Sequence, residues 1–135
     1  MKYSCKDIKV INSQKIKNEN LVIYNEVDKK AFKTKRFFSI NENKGAIRGQ
    51  HAHIKCKQLL VCLQGKIRVI CDDGKNKKTF TLKDSSSGLL IPEGIWATQF
   101  YLNKKNILNV FCNQDFNEND YIRDYEKFLR LYKKK

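Results

Sequence analysis

The chain of 135 residues contains only two histidines, His51 and His53, and they stand two residues apart. The segments on both sides of the pair are rich in apolar residues and predict strands. Because side chains at positions i and i+2 of a strand point to the same face, the two imidazoles would converge, with α-carbons roughly 6.5–7 Å apart. An unperturbed imidazole has a pKa of about 6.5, so it exchanges protons near neutral pH. The spacing therefore predicts a pair of acid–base groups that reach one small substrate.

Histidines in a strand can also be surface residues, or hydrogen-bonded core residues, without a chemical role. The surroundings of this pair favour the chemical interpretation. Arg48 and Gly49 lie just before it, and the pair belongs to a longer pattern of glycines and a glutamine.

The chain is strongly basic, with 28 lysines and arginines against 14 aspartates and glutamates and a formal net charge of +14. This balance favours an anionic partner, such as a phosphorylated small molecule, a nucleic acid or an anionic membrane surface. The lysines are scattered, and no basic run is interleaved with aromatic residues, which argues against a nucleic-acid-binding barrel with steeply salt-dependent binding. We therefore expect no nucleic-acid partner.

The five cysteines form no CxxC pair, and their odd number suggests neither a disulfide framework nor a zinc site. Cys62, Cys71 and Cys112 lie among apolar residues, as buried free thiols often do. The N-terminal residues lack the apolar segment of a signal peptide, and no apolar run is long enough to span a bilayer. The sequence thus predicts a cytoplasmic protein without a membrane partner.

Short apolar segments separated by turn residues recur at spacings of ~8–12 residues, which is typical of an all-β sandwich or barrel. Strands are predicted over residues 8–11, 21–24, 34–40, 46–53, 57–63, 66–71, 78–82, 89–91, 97–102 and 107–112. Loops are predicted over residues 17–20, 41–45 and 84–88. These elements indicate a single domain over residues 1–135.

The C-terminal segment has a different periodicity. From Asn119 to Tyr132, apolar and aromatic residues recur every three or four positions, which predicts an amphipathic helix over about residues 119–133. Asp120 and Arg123 are interpreted as a salt bridge of the fold or of a dimer. Because free sheet edges often pair between subunits, we expect a homodimer, in which the N-terminal strands within residues 1–40 can be exchanged.

The residues around the histidines follow a fixed spacing. Five residues separate Gly45 from His51, four separate His53 from Gln58, and six separate Gln58 from Gly65. This spacing resembles the first motif of the cupin superfamily, and the PxG sequence at residues 92–94 resembles the second. The resemblance implies an all-β, cupin-type jelly-roll barrel (a double-stranded β-helix), here with a C-terminal α-helix.

Metal-binding cupins supply three histidines and a carboxylate, and this chain departs from that pattern. Gln58 stands where cupins commonly have a glutamate, and Ala97 stands where the second motif has its histidine. Two neutral imidazoles and an amide are poor ligands for a catalytic divalent metal. We therefore expect a site without metal or other cofactor, in which both histidines are free for acid–base chemistry.

A more specific resemblance covers nearly the whole chain, more loosely before Phe32. The RGQHAH element at residues 48–53 and the DYIRDY element at residues 120–125 are together similar to the sugar-nucleotide 3,4-ketoisomerase family, whose members act on dTDP-4-keto-6-deoxyglucose. Matching residues between them are found at 57–58, 73–74, 88–89, 91–92, 94 and 96. One departure is the segment from Phe37 to Ser39, where the family tends to have paired tyrosines.

The resemblance implies that the keto group moves from C4 to C3 of the hexose, giving a dTDP-3-keto-6-deoxyhexose. An aminotransferase would then make a 3-amino sugar for surface glycans such as O-antigen. The isomerisation needs a base for the C3 proton, a donor for the enediolate oxygen and a proton returned at C4. Two imidazoles can supply these without a metal. His51 and His53 are the predicted catalytic pair, with His51 favoured as the base at carbon.

Further residues are predicted to bind the substrate. By resemblance, Arg36 and Arg48 would contact the diphosphate, which suits the bidentate geometry of a guanidinium, and Lys57 is a weaker candidate for the same role. Gln58 would hydrogen-bond the sugar or orient a histidine. Trp96 would pack on the sugar or base, or simply fill the mouth of the barrel.

Two other functions fit the same fold. A cupin epimerase of the 3,5-epimerase kind returns the proton to the opposite face and leaves the ketone in place, and one histidine with a tyrosine would serve it. A non-catalytic cupin would bind a sugar nucleotide and tolerate His51→Asn. The close spacing of the two histidines favours isomerisation.

Overall fold

The computed structural model describes residues 3–15, 21–24, 32–84 and 87–132. The chain forms the strands β1 (Lys9–Ile11), β2 (Gln14–Lys15), β3 (Val22–Ile23), β4 (Arg36–Asn43), β5 (Ile47–His53), β6 (Gln58–Gln64), β7 (Lys66–Asp72), β8 (Lys77–Lys83), β9 (Gly88–Ile91), β10 (Trp96–Tyr101), β11 (Lys105–Cys112) and β12 (Tyr121–Ile122), and the helix α1 (Tyr125–Tyr132). Short 3-10 turns lie at Cys5–Asp7 and Glu118–Asp120.

Two five-stranded antiparallel sheets build the domain. One has the strand order β1-β9-β6-β11-β4, the other has the order β12-β5-β10-β7-β8, and β2 pairs with β3 separately. The main core lies between the two sheets and draws buried side chains from both, such as Leu60 and Val110 from the first and Val69 and Tyr101 from the second. This arrangement confirms the predicted all-β barrel with a C-terminal helix.

Strand β6 shows why the apolar pattern of the sequence does not alternate. Four consecutive residues of this strand, from Leu59 to Cys62, are buried. Leu60 and Cys62 face the core between the sheets, whereas Leu59 and Val61 pack on the other side in a second cluster with Ile11. Both faces of the strand are therefore covered. All five cysteines of the chain are free and buried, as predicted for Cys62, Cys71 and Cys112.

Two predicted boundaries differ from the structure by three residues or more. Residues 41–43 continue β4 instead of forming a loop, because Asn41 and Asn43 pair with Ile107 and Lys105 of β11. The helix begins at Tyr125 and not at Asn119, because the preceding residues form a 3-10 turn and β12. The predicted loop at residues 17–20 and the end of the helix at residue 133 lie outside the described residues. No described helix is long and apolar enough to cross a membrane.

Candidate active site

The two histidines converge as the strand spacing predicts. They lie at the end of β5, and their ring centroids are 4.9 Å apart with the ring planes at 89°. His51 pairs with Ala97 of β10 on one side of the strand, and His53 pairs with Tyr121 of β12. The pair is thus placed where β5 is flanked by two different neighbours.

A β-bulge just before the pair sets the direction of His51. Gly49 has φ +83° and Gln50 has φ +55°, and the register between β5 and β10 shifts at this point. A side chain at position 49 would bring its Cβ to 2.7 Å from the backbone oxygen of Ala97, so only glycine fits. The bulge also presents the carbonyl of Gly49 to His51, whose Nδ1–H donates to it over 3.0 Å.

His53 is oriented by a carboxylate. Its Nδ1–H donates to Asp120 Oδ2 over 2.9 Å. The backbone N–H groups of Lys55 and Cys56 donate to the same carboxylate over 2.7 and 3.3 Å, which fixes its position. The other ring nitrogen, His53 Nε2, is buried and has no hydrogen-bond partner among the described residues.

The hydrogen bonds therefore define one tautomer for both rings. A carbonyl and a carboxylate only accept hydrogen bonds, so Nδ1 carries the proton in His51 and in His53. In the neutral form of each ring, Nε2 is then the nitrogen with the free lone pair. The basic nitrogen of each ring is thus Nε2, and the two ring centroids lie 4.9 Å apart.

Burial keeps both imidazoles neutral at pH 7. It lowers the pKa of His51 to about 4, and the neighbouring His53 adds to this effect. Burial also lowers the pKa of His53, while the hydrogen bond to Asp120 and the charge of that carboxylate act in the opposite direction. Both histidines are therefore in the neutral form, which is the form that can accept a proton.

Tyr121 completes an aromatic cluster around the histidines. Its ring centroid lies 4.4 Å from that of His53 and 4.9 Å from that of His51. Its hydroxyl accepts a hydrogen bond from Arg36 Nη1 over 3.3 Å. Sequence reasoning missed Tyr121 as a site residue because the spacing of three and four assigned it to a helix. The only available signal was its place in the DYIRDY element.

A cavity of about 350 Å³ opens in front of His51, large enough for part of a small organic ligand. Apolar groups of Phe38 and Ile40 line one part of it, and the amides of Gln58 and Gln99 contribute polar groups. A narrow recess behind it reaches His53 and is also lined by Cys56, Ala97 and Pro92.

The predicted binding residues separate into two groups, of which the first lies at the site. Arg48 lines the cavity, is half-exposed and forms an ion pair with Glu42 over 3.1 Å. Gln58 lines both the cavity and the recess. Arg36 does not line the cavity itself, but it lies against Tyr121, which does, with its guanidinium over the rings of Phe38 and Phe116.

The second group does not line the cavity. Lys57 Nζ forms an ion pair with Glu93 over 3.1 Å and a hydrogen bond with the hydroxyl of Tyr3 over 3.0 Å. Trp96 lies on the opposite face of β10 from Ala97 and packs against Tyr125 and Phe128 of α1. Trp96 is therefore part of the packing under the helix, and the structure does not bring it to the substrate cavity.

Arg123 has a different partner from the predicted one. It forms an ion pair with Glu118 over 2.6 Å, while Asp120 binds His53. The guanidinium of Arg123 lies 4.4 Å above the ring of Tyr121, and the residue lines the cavity. The expected salt bridge of the fold between Asp120 and Arg123 is thus wrong, the alternative of a dimer contact stays a prediction, and both residues lie at the candidate site.

Residues 37–39 depart from the paired tyrosines of the resembled family, and the alternation of β4 decides which of their side chains faces the cavity. Phe38 faces the cavity, whereas Phe37 packs on Phe111 on the outer face, with ring centroids 5.1 Å apart. Ser39 is also exposed on that outer face, where its hydroxyl donates to Asn109 Oδ1 over 2.5 Å. Segment 37–39 therefore directs a phenyl ring, and no hydroxyl, toward the site.

Among the described residues, one group could supply three ligands to a metal ion. The candidate ligand atoms of His53, Cys56 and Asp120 lie within 4.8 Å of one another. The Asp120 carboxylate already accepts three hydrogen bonds, and a metal between it and His53 would have to replace the Nδ1 proton. The Asp120 carboxylate is therefore better suited to orienting His53 by a hydrogen bond than to binding a metal ion together with it.

Comparisons with known proteins agree on one group of relatives. Residues 1–133 match the family model described as "FdtA: WxcM-like, C-terminal". The chain is 36% identical over 129 residues to the TDP-4-oxo-6-deoxy-alpha-D-glucose-3,4-oxoisomerase of Aneurinibacillus thermoaerophilus, covering 93% of each protein.

Solved structures give the same result. The TDP-fucose-3,4-ketoisomerase WlaRA of Campylobacter jejuni is 29% identical with a TM-score of 0.82, covering 93% of this chain and 96% of that one. A mutant of the 3,4-ketoisomerase QdtA of Thermoanaerobacterium thermosaccharolyticum, with asparagine in place of a histidine, is in complex with TDP-4-keto-6-deoxyglucose. It is 26% identical, with a TM-score of 0.85 and 96% of each chain covered. The sugar epimerase NovW of Streptomyces spheroides, at 14% identity, shares the fold with a TM-score of 0.74, over 84% of this chain and 67% of that one.

Proposed function

The chain belongs to the FdtA family of sugar 3,4-ketoisomerases and is an isomerase, and from this premise we propose that it converts dTDP-4-keto-6-deoxyglucose to a dTDP-3-keto-6-deoxyhexose by histidine-mediated proton transfer. The observation that carries this proposal is the pair of Nε2 bases, each fixed by a hydrogen-bond acceptor at the opposite ring nitrogen. The keto sugar bound to the related QdtA mutant supports the choice of substrate.

The reaction requires proton transfer at two carbons and two oxygens. The C4 ketone acidifies the proton at C3, so a neutral imidazole near C3 can remove it as the enediolate forms. The developing charge on O4 needs a hydrogen-bond donor, and the hydroxyl proton at O3 must leave as the new ketone forms. A final proton delivered to C4 completes the isomerisation. The electrons are redistributed within the sugar, so the overall reaction consumes no oxidant or reductant.

The two histidines differ in ways that suit two roles. His51 lines both the open cavity and the recess, and this position supports its assignment as the base at carbon. His53 is deeper and lies against Asp120, whose carboxylate stabilises the imidazolium that forms when His53 accepts a proton. His53 is therefore assigned to the transfer of a proton between O3 and O4.

Charged groups around the cavity suit a sugar nucleotide. Arg48 and Arg123 line it, and each is paired with a carboxylate on the surface. A diphosphate that replaces Glu42 or Glu118 as the partner would gain bidentate contacts. Arg36 does not line the cavity and hydrogen-bonds the hydroxyl of Tyr121, so it is assigned to holding Tyr121 beside the histidines. Gln58 is assigned to a sugar hydroxyl.

Assembly and pathway follow from the same proposal. We propose that the protein is cytoplasmic and forms a homodimer. The dimer is supported by β4, which is an edge strand of its sheet and carries Phe37, a side chain that is 54% exposed. The 3-keto product would be the substrate of an aminotransferase that makes 3-amino-3,6-dideoxy sugars for surface glycans.

The experiment that tests the reaction uses purified protein with dTDP-4-keto-6-deoxyglucose in the presence of a chelator. Carbon NMR of the product would show the carbonyl at C3 and no longer at C4. A product that keeps its ketone at C4, with an inverted centre beside it, would identify an epimerase. Binding without any change in the sugar would identify a non-catalytic sugar-nucleotide-binding protein.

One observation favours the epimerase as the second candidate. Tyr121 lies in contact with both histidines, and a histidine with a tyrosine is sufficient to remove and return a proton on opposite faces. The isomerase and epimerase mechanisms differ in whether the hydroxyl of Tyr121 is needed for turnover.

A further inference from the structure

Gln99 is a buried polar residue in the wall of the substrate cavity. It is 7% exposed and lines both the open cavity and the recess, as His51 does. Ala97, which pairs with His51 between β10 and β5, stands two residues before Gln99. Since positions i and i+2 of a strand share a face, Gln99 lies on the same inner face of β10 as Ala97. Its amide therefore belongs to the same wall of the barrel as the histidine site.

A hydrogen bond from Tyr101 fixes the orientation of this amide. The hydroxyl of Tyr101 donates to Gln99 Oε1 over 2.6 Å, and the tyrosine is 1% exposed. Burial raises the pKa of Tyr101, so its phenol is protonated at pH 7 and requires an acceptor. Within the described part of the chain, Gln99 Oε1 is the only acceptor for this proton, and a reversed amide would leave the buried O–H unpaired. The amide oxygen of Gln99 therefore faces Tyr101.

This orientation leaves the amide nitrogen of Gln99 for the substrate. Among the described residues, none accepts a hydrogen bond from Gln99 Nε2, and this nitrogen is not one of the enclosed polar atoms without a partner. It is therefore open to the cavity or the recess that Gln99 lines. Gln58, the other glutamine at the cavity, has its Nε2 turned to the sulfur of Cys112 at 3.5 Å. Of the two amides, Gln99 thus offers the free N–H donor.

From this arrangement we infer that Gln99 Nε2–H is a catalytic hydrogen-bond donor to the C4 oxygen of the keto sugar, and that Tyr101 is the positioning residue that holds this donor in place. The inference rests on the proposed function and supplies the group that stabilises the developing charge on O4. A preorganised neutral amide suits this role because it donates without giving up its proton. The transfer of a proton between O3 and O4 stays with His53.

Kinetics of the full-length protein test the donor. Gln99→Met keeps the length of the side chain and removes the N–H groups. Because removal of one preorganised donor typically lowers kcat by about 100-fold or more, we expect a loss of that size, with KM changed by less than about threefold. Gln64→Met is the matched control, since Gln64 is exposed at the end of β6 and does not line the cavity. A wild-type kcat in Gln99→Met would overturn the inference.

Tyr101→Phe separates positioning from packing, because the ring stays and the amide is released to turn. The expected loss in kcat is roughly tenfold or more in the wild-type background. In the Gln99→Met background, where no donor is left to position, the further loss should be less than about twofold. Tyr125→Phe is the control for the loss of a tyrosine hydrogen bond alone, since its hydroxyl donates to Asp72 over 2.5 Å under α1. Equal losses in both backgrounds would show that Tyr101 does not act through Gln99.

Carbon NMR of the bound substrate tests the donor independently of turnover. His51→Asn is mixed with dTDP-4-keto-6-deoxyglucose labelled with carbon-13 at C4. A hydrogen bond to a carbonyl oxygen moves the signal of its carbon downfield, so this signal should lie further upfield when Gln99→Met is added. An unchanged signal would overturn the inference, as would the absence of a bound signal in His51→Asn. Where Gln99→Met does not fold, adding Tyr101→Phe provides the same comparison.

The two experiments distinguish the donor from the reaction that it serves. Charge develops on O4 in an epimerisation as well, because that reaction also removes a proton beside the C4 ketone. If the wild type leaves the ketone at C4 but the C4 signal depends on Gln99, the proposed function is wrong and the donor is confirmed. If the wild type moves the ketone to C3 and the signal does not depend on Gln99, the proposed function is confirmed and the donor is wrong.

Discussion

His53 Nδ1 lies 2.9 Å from Asp120 Oδ2, although the two residues are 67 positions apart in the sequence. The segment after β11 brings the carboxylate back to β5, and two backbone N–H groups, of Lys55 and Cys56, hold it there. The contact sets the tautomer of His53 and stabilises its protonated form, as the proposed proton transfer requires.

Replacement of Asp120 by asparagine should lower turnover by roughly 100-fold or more, by analogy with carboxylates that orient a catalytic histidine. The amide would donate to Nδ1, which moves the proton of His53 to Nε2 and removes its lone pair from the site. Steady-state rates with saturating substrate would measure this. Asp124→Asn is the matched control, because Asp124 is exposed and its carboxylate accepts, among the described residues, a hydrogen bond from the backbone N–H of Lys127 in the first turn of α1 and none from a site residue. Equal activity of the two variants would refute the role of Asp120.

On the acid side, kcat/KM should begin to fall only well below pH 6.5. The reason is that burial lowers the pKa of both histidines, and it lowers that of His51 to about 4. A profile measured between pH 4 and 8 tests this expectation. Activity that is half lost near pH 6.5, the ordinary pKa of histidine, would show that the imidazoles are not desolvated in the free enzyme.

The same shift affects folding stability with a defined sign. His51 binds a proton more readily in the unfolded chain, so its contribution to the free energy of unfolding is complete above pH 6.5 and is lost as the pH falls toward about 4. Urea unfolding at pH 7 and pH 5 should show a smaller pH dependence for His51→Asn than for the wild type. An unchanged pH dependence would contradict the shifted pKa.

Gly49→Ala should be more destabilising than Gly45→Ala and should also reduce turnover. Both glycines have a positive φ, so both variants are strained, but a Cβ at position 45 meets no atom within 4 Å, whereas one at position 49 lies 2.7 Å from Ala97 O. The added clash should cost about 1–3 kcal/mol, the usual range for overpacking. Thermal unfolding of both variants measures the difference, and equal stability would show that the bulge adapts without strain.

Tyr121→Phe should retain turnover within a few-fold of the wild type, since the histidine pair performs the proton transfers and the ring packing is kept. Tyr121→Ala should lose activity, because both imidazoles lose the ring that packs against them. A loss of about 100-fold or more in the phenylalanine variant would identify the hydroxyl as an acid–base group and favour the epimerase mechanism.

Local sequence patterns predict part of this site. The convergence of His51 and His53 follows from the two-residue period of a strand, whereas the bulge that directs His51 is seen only in the structure. Asp120 and Tyr121 were assigned to a helix, because aromatic spacing cannot show that β12 pairs with the histidine strand. The position of Trp96 depends on which face of β10 the helix α1 covers, and this is a tertiary contact. Residues 41–43 form a strand because β11 supplies partners, against the weak β-propensity of asparagine.

The most direct test of the central claim follows dTDP-4-keto-6-deoxyglucose by proton NMR in deuterium oxide with a chelator, for the wild type, His51→Asn and His53→Asn. The account predicts loss of the C3 proton and a 3-keto product with solvent deuterium at C4 for the wild type, and rates lower by ~100-fold or more for each variant with its fold intact. Near-normal rates in both variants, or a wild-type reaction abolished by the chelator, would contradict a proton transfer carried by the histidine pair.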